Sequence, residues 1–313
     1  MKKRFLILKD RSLISQLLIL ITFLFVGFLI AISLGAIAGM LYGGMEGLQG
    51  LAIPDFHDKS TINLLKIFQI FSQVGLFVLP AFMFAYYYQE DYQSFLKIRC
   101  SPDIKCLLIA IIAIVLMMPS IGFLVDLNQG LQLPSFMQGI EEWMKAKEEE
   151  AKIMTEAFLQ VSSVSALLLN LFMIGLLAGL GEELLFRGVL QNIFLDKWRN
   201  PHVAIWSAAI IFSAFHLQFY GFLPRMVLGA IFGYIYLWTN NLWIPVTLHT
   251  IFNSITVVGA FLFQRGIINT DMENIGTSDS YMVVAISFVA ALGLFRFIYR
   301  LSLRKRKGQA KIQ

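Results

Sequence analysis

The sequence is poor in charge. Only 14% of its 313 residues are Asp, Glu, Lys or Arg, whereas 58% are hydrophobic. A soluble domain usually has about a quarter of its residues charged, so this composition excludes an ordinary soluble fold and indicates an integral membrane protein. The net charge of +5 is informative only through the positions of the cations relative to the apolar segments. It does not predict a nucleic-acid partner.

The chain also lacks the residues of several familiar structural and catalytic devices. Cys100 and Cys106 are its two cysteines, too few for a disulfide framework. The zinc-protease motif H-E-x-x-H is absent, and no serine or cysteine stands in an evident nucleophile motif. These absences argue against a covalent acyl-enzyme mechanism. The sequence has no repeat and no low-complexity tract either.

What the chain does have is apolar runs long enough to span a membrane. A spanning helix needs about 20 mostly apolar residues. The first run, of about 29 residues, exceeds a signal-peptide core of roughly 7–15, so we expect a retained helix. The predicted fold is an all-α integral membrane bundle of about eight transmembrane helices, and the qualifying stretches are 13–41, 64–88, 104–125, 161–195, 202–220, 222–239, 243–263 and 281–300.

The lysines and arginines are unevenly distributed between the two sides of this bundle. With the N-terminus inside, 18 of the 25 fall on the inner segments, including Lys2, Lys3, Arg4 and Lys311, and seven fall on the outer ones. Cytoplasmic loops of membrane proteins carry an excess of Lys and Arg. The distribution therefore predicts a multi-pass cell-membrane protein with both termini in the cytoplasm.

One outer segment, 136–158, is amphipathic rather than apolar. We expect it to lie along the outer membrane surface as a helix. A solvated connector is the simpler interpretation, and a lid or substrate-recruiting role is the alternative. Its apolar face is predicted to hold Phe136, Ile140, Trp143, Met144, Met154 and Phe158. The chain is thus divided into N-terminal helices with this segment (1–160), a catalytic core (161–263), and a last helix with a basic tail (264–313).

The stretch LAGLGEELLFRGVLQNIF, residues 177–194, places three charges inside an apolar helix. Intramembrane ionisable residues face the bundle interior and are functional candidates by default. Glu183 and Arg187 are four apart, so they share a face and are expected to form an ion pair. Glu182 is rotated by about 100° and has no such partner. It is therefore the carboxylate available for general acid–base chemistry.

Two histidines on other helices are candidate partners of Glu182. Glu182 lies 17 residues before Arg199, at the expected hairpin turn, and His216 lies 17 residues after it. Both are therefore about 25 Å from the turn and at one level of the bundle. His249 and Asn253 share a face of a later helix, but His249 lies roughly 12 Å from its own turn. The two depths agree only if the turn near Arg199 protrudes from the bundle.

Three motifs on separate helices resemble one known family. EELLFR fits E-E-x-x-x-R, FSAFH fits F-x-x-x-H, and HTIFN fits H-x-x-x-N. Their order is similar to that of the CPBP family of intramembrane endopeptidases, which includes the type II CAAX prenyl proteases and the Abi proteins of bacteriocin immunity. The resemblance covers about residues 160–260, and the N-terminal third carries no motif of the family.

The resemblance implies a role for each motif residue. Glu182 is implied to be the base that activates the hydrolytic water, and His216 to help hold that water. His249 and Asn253 are implied to be donors that stabilise the oxyanion. The residues implied to support the site are Glu183, Arg187 and Phe212. The implied substrate is a membrane-associated peptide or protein, and whether it is prenylated is left open.

Alternatives to this interpretation stay open at the level of sequence. Two histidines and a glutamate are a competent zinc set, so zinc is the alternative to a glutamate-activated water that needs no cofactor. Taken singly, each polar residue also fits a helix-to-helix hydrogen bond. A proton-coupled transporter is a rival function, although no inverted repeat supports it. A non-catalytic immunity or scaffold protein on the same fold is another. Two G-x-x-x-G spacings, at Gly175 and Gly179 and at Gly229 and Gly233, predict close packing.

Overall fold

The protein is a helical bundle. The computed structural model describes residues 8–131, 133–161, 163–269 and 276–309, with the side chains of 306–309 left out. Across these ranges it is 84% helical and has no strand, which confirms the predicted fold class. Several cations of the orientation argument, Lys2, Lys3, Arg4 and Lys311, lie outside the described residues.

The helices follow the apolar runs closely. In chain order they are α1 (Leu13–Ala52), α2 (Lys59–Tyr88), α3 (Tyr92–Leu96), α4 (Ile104–Gln129), α5 (Gln138–Leu159), α6 (Val164–Trp198), α7 (Pro201–Phe215), α8 (Phe222–Thr239), α9 (Trp243–Gln264) and α10 (Tyr281–Gln309). Within the described ranges, seven of the eight predicted spans are long and apolar enough to cross a membrane. The protein is therefore a multi-pass membrane protein.

The remaining predicted span, 202–220, is shorter than expected. Its helix, α7, is apolar but has only 15 residues and ends at Phe215. The reason is local: Leu217 takes a left-handed conformation with φ of 52°, which a continuing right-handed helix does not allow. The chain therefore turns directly after His216 instead of running on through the bilayer.

The first helix is also interrupted. Gly43 and Gly44 leave helical geometry, and Gly44 has a φ of 60°, a conformation that glycine adopts without steric cost. The residues that follow fold back onto α1, since a Cβ placed on Gly47 would lie 2.2 Å from the carbonyl oxygen of Gly39. The spanning part of α1 thus ends close to the predicted residue 41.

The predicted amphipathic helix is present as α5, and its two ends differ. At its C-terminal end Ala157, Phe158 and Leu159 are buried, and Gln264 of α9 donates to the Leu159 carbonyl at 2.9 Å. Just before its N-terminal end Phe136 is 85% exposed. The helix is therefore anchored to the bundle by its last turn and also in its middle, where Trp143 packs on Phe219 and the backbone N–H of Tyr220 donates to Glu148 at 3.3 Å.

A tight hairpin joins α6 to α7 and sets the register of the site. Arg199 is left-handed with φ of 53°, which ends α6. Asn200 then caps α7, because its side-chain oxygen accepts from the backbone N–H groups of His202 and Val203. Pro201 occupies the first turn, where its missing N–H costs nothing. The hairpin predicted around Arg199 is therefore confirmed.

Candidate active site

Two adjacent glutamates lie in the middle of α6. Glu182 and Glu183 close a short α-helical segment, Ala178–Glu183, between two π-helical segments, Leu171–Leu177 and Leu184–Gln191. Single π-helical turns within α-helices are rare and frequently mark functional sites. Glu183 is fully buried, and Glu182 has 7% of its surface exposed. Both acidic side chains therefore point into the bundle, where a carboxylate is expected to have an ion-pair partner or a functional role.

Glu183 is paired with a cation and with a histidine. Its Oε1 accepts from Arg187 Nη1 at 2.6 Å and lies 2.8 Å from His249 Nδ1. An ionised carboxylate can only accept, so Nδ1 of His249 carries the hydrogen and donates. The Arg187 guanidinium lies between two rings, 4.7 Å from that of Phe212 and 5.6 Å from that of Phe232. The expected Glu183–Arg187 ion pair is present, and it also orients His249.

Glu182 faces two imidazoles without bonding to either. Its Oε2 lies 3.6 Å from Nε2 of His249 and 4.0 Å from Nε2 of His216. This oxygen is buried and accepts no hydrogen bond within the described part of the chain. His216 uses its Nδ1 on the Phe212 carbonyl at 2.9 Å, as His249 uses its own on Glu183. In the neutral ring of each histidine, the Nε2 lone pair therefore faces the carboxylate of Glu182.

His216 is the most accessible member of this group. It follows the last residue of α7, and 28% of its side chain is exposed, against 10% for Glu182. The predicted matching of His216 and Glu182, each 17 residues from Arg199, is confirmed by their 4.0 Å separation. Phe212 packs edge-to-face on both His216 and His249, so it supports the two rings at once.

Close packing of α6 on α9 brings His249 to the glutamates. A Cβ placed on Gly179 would lie 2.9 Å from Thr250 Oγ1, and one on Gly175 would lie 2.6 Å from Ser254 Oγ. Only glycines allow this approach, so the first G-x-x-x-G spacing serves packing, as predicted. Asn253 donates from Nδ2 to the Ile174 carbonyl at 3.0 Å. The second hydrogen on Nδ2 remains for another acceptor.

The second G-x-x-x-G spacing does more than pack helices. The carbonyl of Gly229 accepts from Arg187 Nη2 at 3.0 Å, and that of Gly233 accepts from Gln191 Nε2 at 3.1 Å. General packing was the simpler interpretation of these glycines, and the structure adds a polar role for their carbonyls. The backbone of α8 is thus a second set of acceptors for the side chains of α6.

The sequence places Glu182 and His216 about 25 Å from one turn and His249 roughly 12 Å from another. The structure shows how these two depths are compatible. Leu242, just before α9, packs against Gly188, because a Cβ on Gly188 would lie 3.7 Å from Leu242 Cδ2. From Gly188 the helix α6 continues for ten residues to Trp198, about 15 Å. The α6–α7 turn therefore protrudes beyond the start of α9, which is the condition under which His249 and Glu182 meet.

Two polar residues near the site were missed by sequence reasoning. Gln191 is buried on α6, and its signal is its position four residues after Arg187, matched to the spacing of the α8 glycines. Arg225 was counted only as an outer-segment cation, but it bonds to Gln218 two residues after His216. Its signal is an arginine in the first turn of an otherwise apolar helix that directly follows the F-x-x-x-H motif.

Comparison with known proteins identifies this region. Residues 164–255 match the family model of Rce1-like type II CAAX prenyl endopeptidases. The resemblance inferred from the three motifs is thereby confirmed, because the match contains all of them. The matched family is described as one of endopeptidases, and the match covers residues 164–255 rather than the whole chain.

Two further comparisons limit how far the match extends. The uncharacterized protein YpbD of Bacillus subtilis strain 168 is 32% identical over 90 residues, which are 28% of this chain and 43% of that protein. The chain thus covers less than half the length of this relative. No solved structure matches the chain. The N-terminal helices α1–α4 lie outside the family match.

The donor set around Glu182 also bears on zinc. Two neutral Nε2 atoms and a carboxylate are ligand types that zinc accepts, and both Nδ1 atoms have the oxygen partners that commonly orient metal-bound histidines. Among the residues that the structure describes, however, no group of three or more His, Cys, Asp or Glu side chains has the arrangement of a metal site. The side chains thus fit zinc in chemical type without forming a closed ligand set.

Proposed function

We propose that this protein is an intramembrane endopeptidase that hydrolyses a peptide bond of a membrane-associated substrate through a water activated by Glu182. The observation that carries the proposal is the Glu182 carboxylate itself. It is buried, it lies outside the Glu183–Arg187 pair, and its Oε2 faces Nε2 of two histidines at 3.6 and 4.0 Å. Such a group suits proton transfer better than structural support.

In the proposed reaction, a water molecule donates hydrogen bonds to Glu182 and to Nε2 of His216. Glu182 takes a proton as the water oxygen attacks the carbonyl carbon of the scissile peptide bond. The resulting tetrahedral anion is stabilised by His249 and Asn253. Glu182 then returns the proton to the departing amine, so the C–N bond breaks without a covalent enzyme intermediate.

The neighbouring pair gives His249 its fixed orientation. Glu183 accepts from His249 Nδ1, and Arg187 neutralises Glu183, so the imidazole is held by a carboxylate that carries no uncompensated charge. His249 donates from Nε2 only when it also carries a proton there. We therefore propose that His249 enters the reaction with a hydrogen on both ring nitrogens, so that Nδ1 donates to Glu183 while Nε2 donates to the oxyanion.

We also propose that both termini are cytoplasmic, on the distribution of lysine and arginine. Reporter fusions placed after Gln313 and within 264–280 are expected to report opposite sides of the membrane. Finding both on one side would overturn this topology. The substrate is proposed to be a membrane-associated protein or peptide, because the site lies among membrane-spanning helices.

The test is cleavage of a peptide library by the purified protein, with new termini identified by mass spectrometry. Glu182→Gln keeps the size of the side chain but cannot accept the proton of the water, and we expect it to lose about 10²–10⁴-fold in rate. Its thermal stability in detergent should stay close to that of the wild type. The matched control is Glu149→Gln, on the exposed face of α5.

Two further arms complete the test. His249→Ala and Asn253→Ala should lower kcat by about 10²–10³-fold with smaller effects on KM, because an oxyanion donor acts mainly in the transition state. Strong chelation should leave activity unchanged under the glutamate mechanism, whereas loss that zinc restores would favour the metal mechanism. A Glu182→Gln protein that cleaves at the normal rate would overturn the proposal.

A further inference from the structure

An arginine beside the site has no role in the mechanism above. Arg225 lies in the first turn of α8, and its charge interacts with the carboxylates of Glu182 and Glu148 and with His216. Arg225 is half-buried beside the candidate site, and a partly buried cation at such a place is a candidate for a functional role. The contacts of its guanidinium indicate that role.

The guanidinium of Arg225 holds the turn that leaves His216. Its Nη1 donates to the backbone carbonyl of Gln218 at 3.0 Å, and its Nη2 donates to the side-chain oxygen of the same residue at 2.5 Å. The turn itself is irregular, because Leu217 between His216 and Gln218 is left-handed with φ of 52°. A non-glycine residue in that region is strained and needs its surroundings to hold it.

Gly221 leaves room for the two hydrogen bonds from Arg225 to Gln218, which we call the clamp. A Cβ placed on Gly221 would lie 2.7 Å from Cζ, Nη1 and Nη2 of Arg225, so the guanidinium lies flat against the bare Cα. Gly221 has a φ of −106°, which any residue can adopt. An alanine there would therefore be tolerated by the backbone but would displace the guanidinium from Gln218.

We infer that Arg225 is a positioning residue of the proposed active site, which fixes the turn after His216 and thereby keeps its imidazole opposite Glu182. His216 is the partner that needs such support. It follows the last residue of α7, whose helix does not continue through it, and its own side-chain bond is to Phe212 within the same helix. The kinetic consequence of this inference rests on the proposed function, but the placement of His216 can be measured without it.

Three variants separate the clamp from the charge. Arg225→Lys keeps the charge but loses the paired donors, because an ammonium cannot reproduce the planar fork of a guanidinium. Gly221→Ala keeps the arginine and moves it. Arg225→Met removes both clamp and charge. The matched control is Gly293→Ala on α10, where an added Cβ meets nothing within 4 Å.

The first readout is the rate of peptide cleavage. We expect Arg225→Lys and Gly221→Ala each to lower kcat by about 10- to 100-fold, since small misplacements of a catalytic group have effects of this size. KM and the melting temperature should change little, and Gly293→Ala should behave as the wild type. If only Arg225→Met loses activity, the charge alone matters and the clamp is overturned.

The second readout does not need a substrate. Diethyl pyrocarbonate modifies imidazole nitrogens, and mass spectrometry gives its rate at His216 with His57 and His202 as internal references. Arg225→Lys and Gly221→Ala should raise the rate at His216 alone, because a freed turn releases the ring. An unchanged rate in both variants would overturn the inference. If even the wild type cleaves nothing, the proposed function fails while this measurement still decides the role of Arg225.

Discussion

Two interfaces in this bundle use small residues at the same spacing, with different results. In α1 the residues Gly27, Ala31 and Gly35 are buried against α2, and a Cβ on Gly27 would lie 1.8 Å from the Gly75 carbonyl oxygen. That contact joins backbone to backbone. In α8 the glycines instead turn their carbonyls toward the side chains of Arg187 and Gln191.

The difference shows what decides the use of a small-residue stripe. Between α1 and α2 the facing residues are small or aromatic, so the stripe gives close van der Waals packing. Between α6 and α8 the facing residues are long and polar, and the exposed carbonyls become acceptors in a medium without water. The spacing predicts a close approach, and the partner helix determines whether the approach is structural or part of a polar site.

The largest effect on the polar interface between α6 and α8 is expected from removing the buried cation, Arg187. We expect Arg187→Met and Glu183→Gln each to destabilise the protein by about 3–5 kcal/mol, because each leaves an uncompensated charge in the bundle. The double variant should recover part of that loss. Thermal melting in detergent measures all three proteins against the wild type. Strictly additive losses would show that the two side chains do not stabilise each other.

Much of the fold was predictable because helix length and composition are local properties. Seven spans follow from apolar runs, and the hairpin around Arg199 follows from its cap residues. The end of α7 was not predictable in the same way. Leu217 lies inside the predicted run 202–220, and its side chain does not mark it as a left-handed residue. The turn that follows it is held by hydrogen bonds from Arg225 to Gln218, which the sequence does not reveal.

The candidate site likewise has contacts that the sequence predicts and contacts that depend on how the helices pack. The Glu183–Arg187 pair was predicted because four residues along one helix fix a geometry. The contact of Glu183 with His249 was not predicted, since it depends on how far α9 is shifted along α6. The glycines at 175 and 179 and the protruding hairpin set that shift, and both are properties of the packed bundle.

A middle-sized effect is expected at the backbone contact of α1. In Gly27→Ala, the new methyl group would have to occupy the position of the Gly75 carbonyl, and backbone atoms cannot move aside cheaply. We expect α1 to separate from α2 at a cost of about 1–3 kcal/mol, the usual range for overpacking. Melting in detergent, with Gly293→Ala as the control, measures it. A melting temperature equal to that of the control would contradict the close approach.

The smallest effect is expected at Gly229 of α8, and its sign sharpens the comparison. A Cβ there would lie 3.2 Å from Phe212 Cδ1, 3.3 Å from Ala209 Cβ and 3.4 Å from Ala209 Cα, so α7 and α8 would have to move apart by only a few tenths of an ångström. Replacing glycine by alanine inside a helix also gains roughly 0.5–1 kcal/mol. The two terms nearly cancel, so Gly229→Ala should melt close to the wild type, unlike Gly27→Ala.

Activity is the second measurement on the Gly229→Ala protein. The carbonyl that accepts from Arg187 is retained, so the Glu183–Arg187–His249 arrangement should persist and cleavage should fall only slightly. A loss of stability as large as that of Gly27→Ala would mean that α8 packs on α7 through its backbone, as α1 does on α2. The contrast between α1 and α8 would then lie only in the hydrogen bonds that the glycine carbonyls of α8 accept, and not in how closely the helix backbones approach.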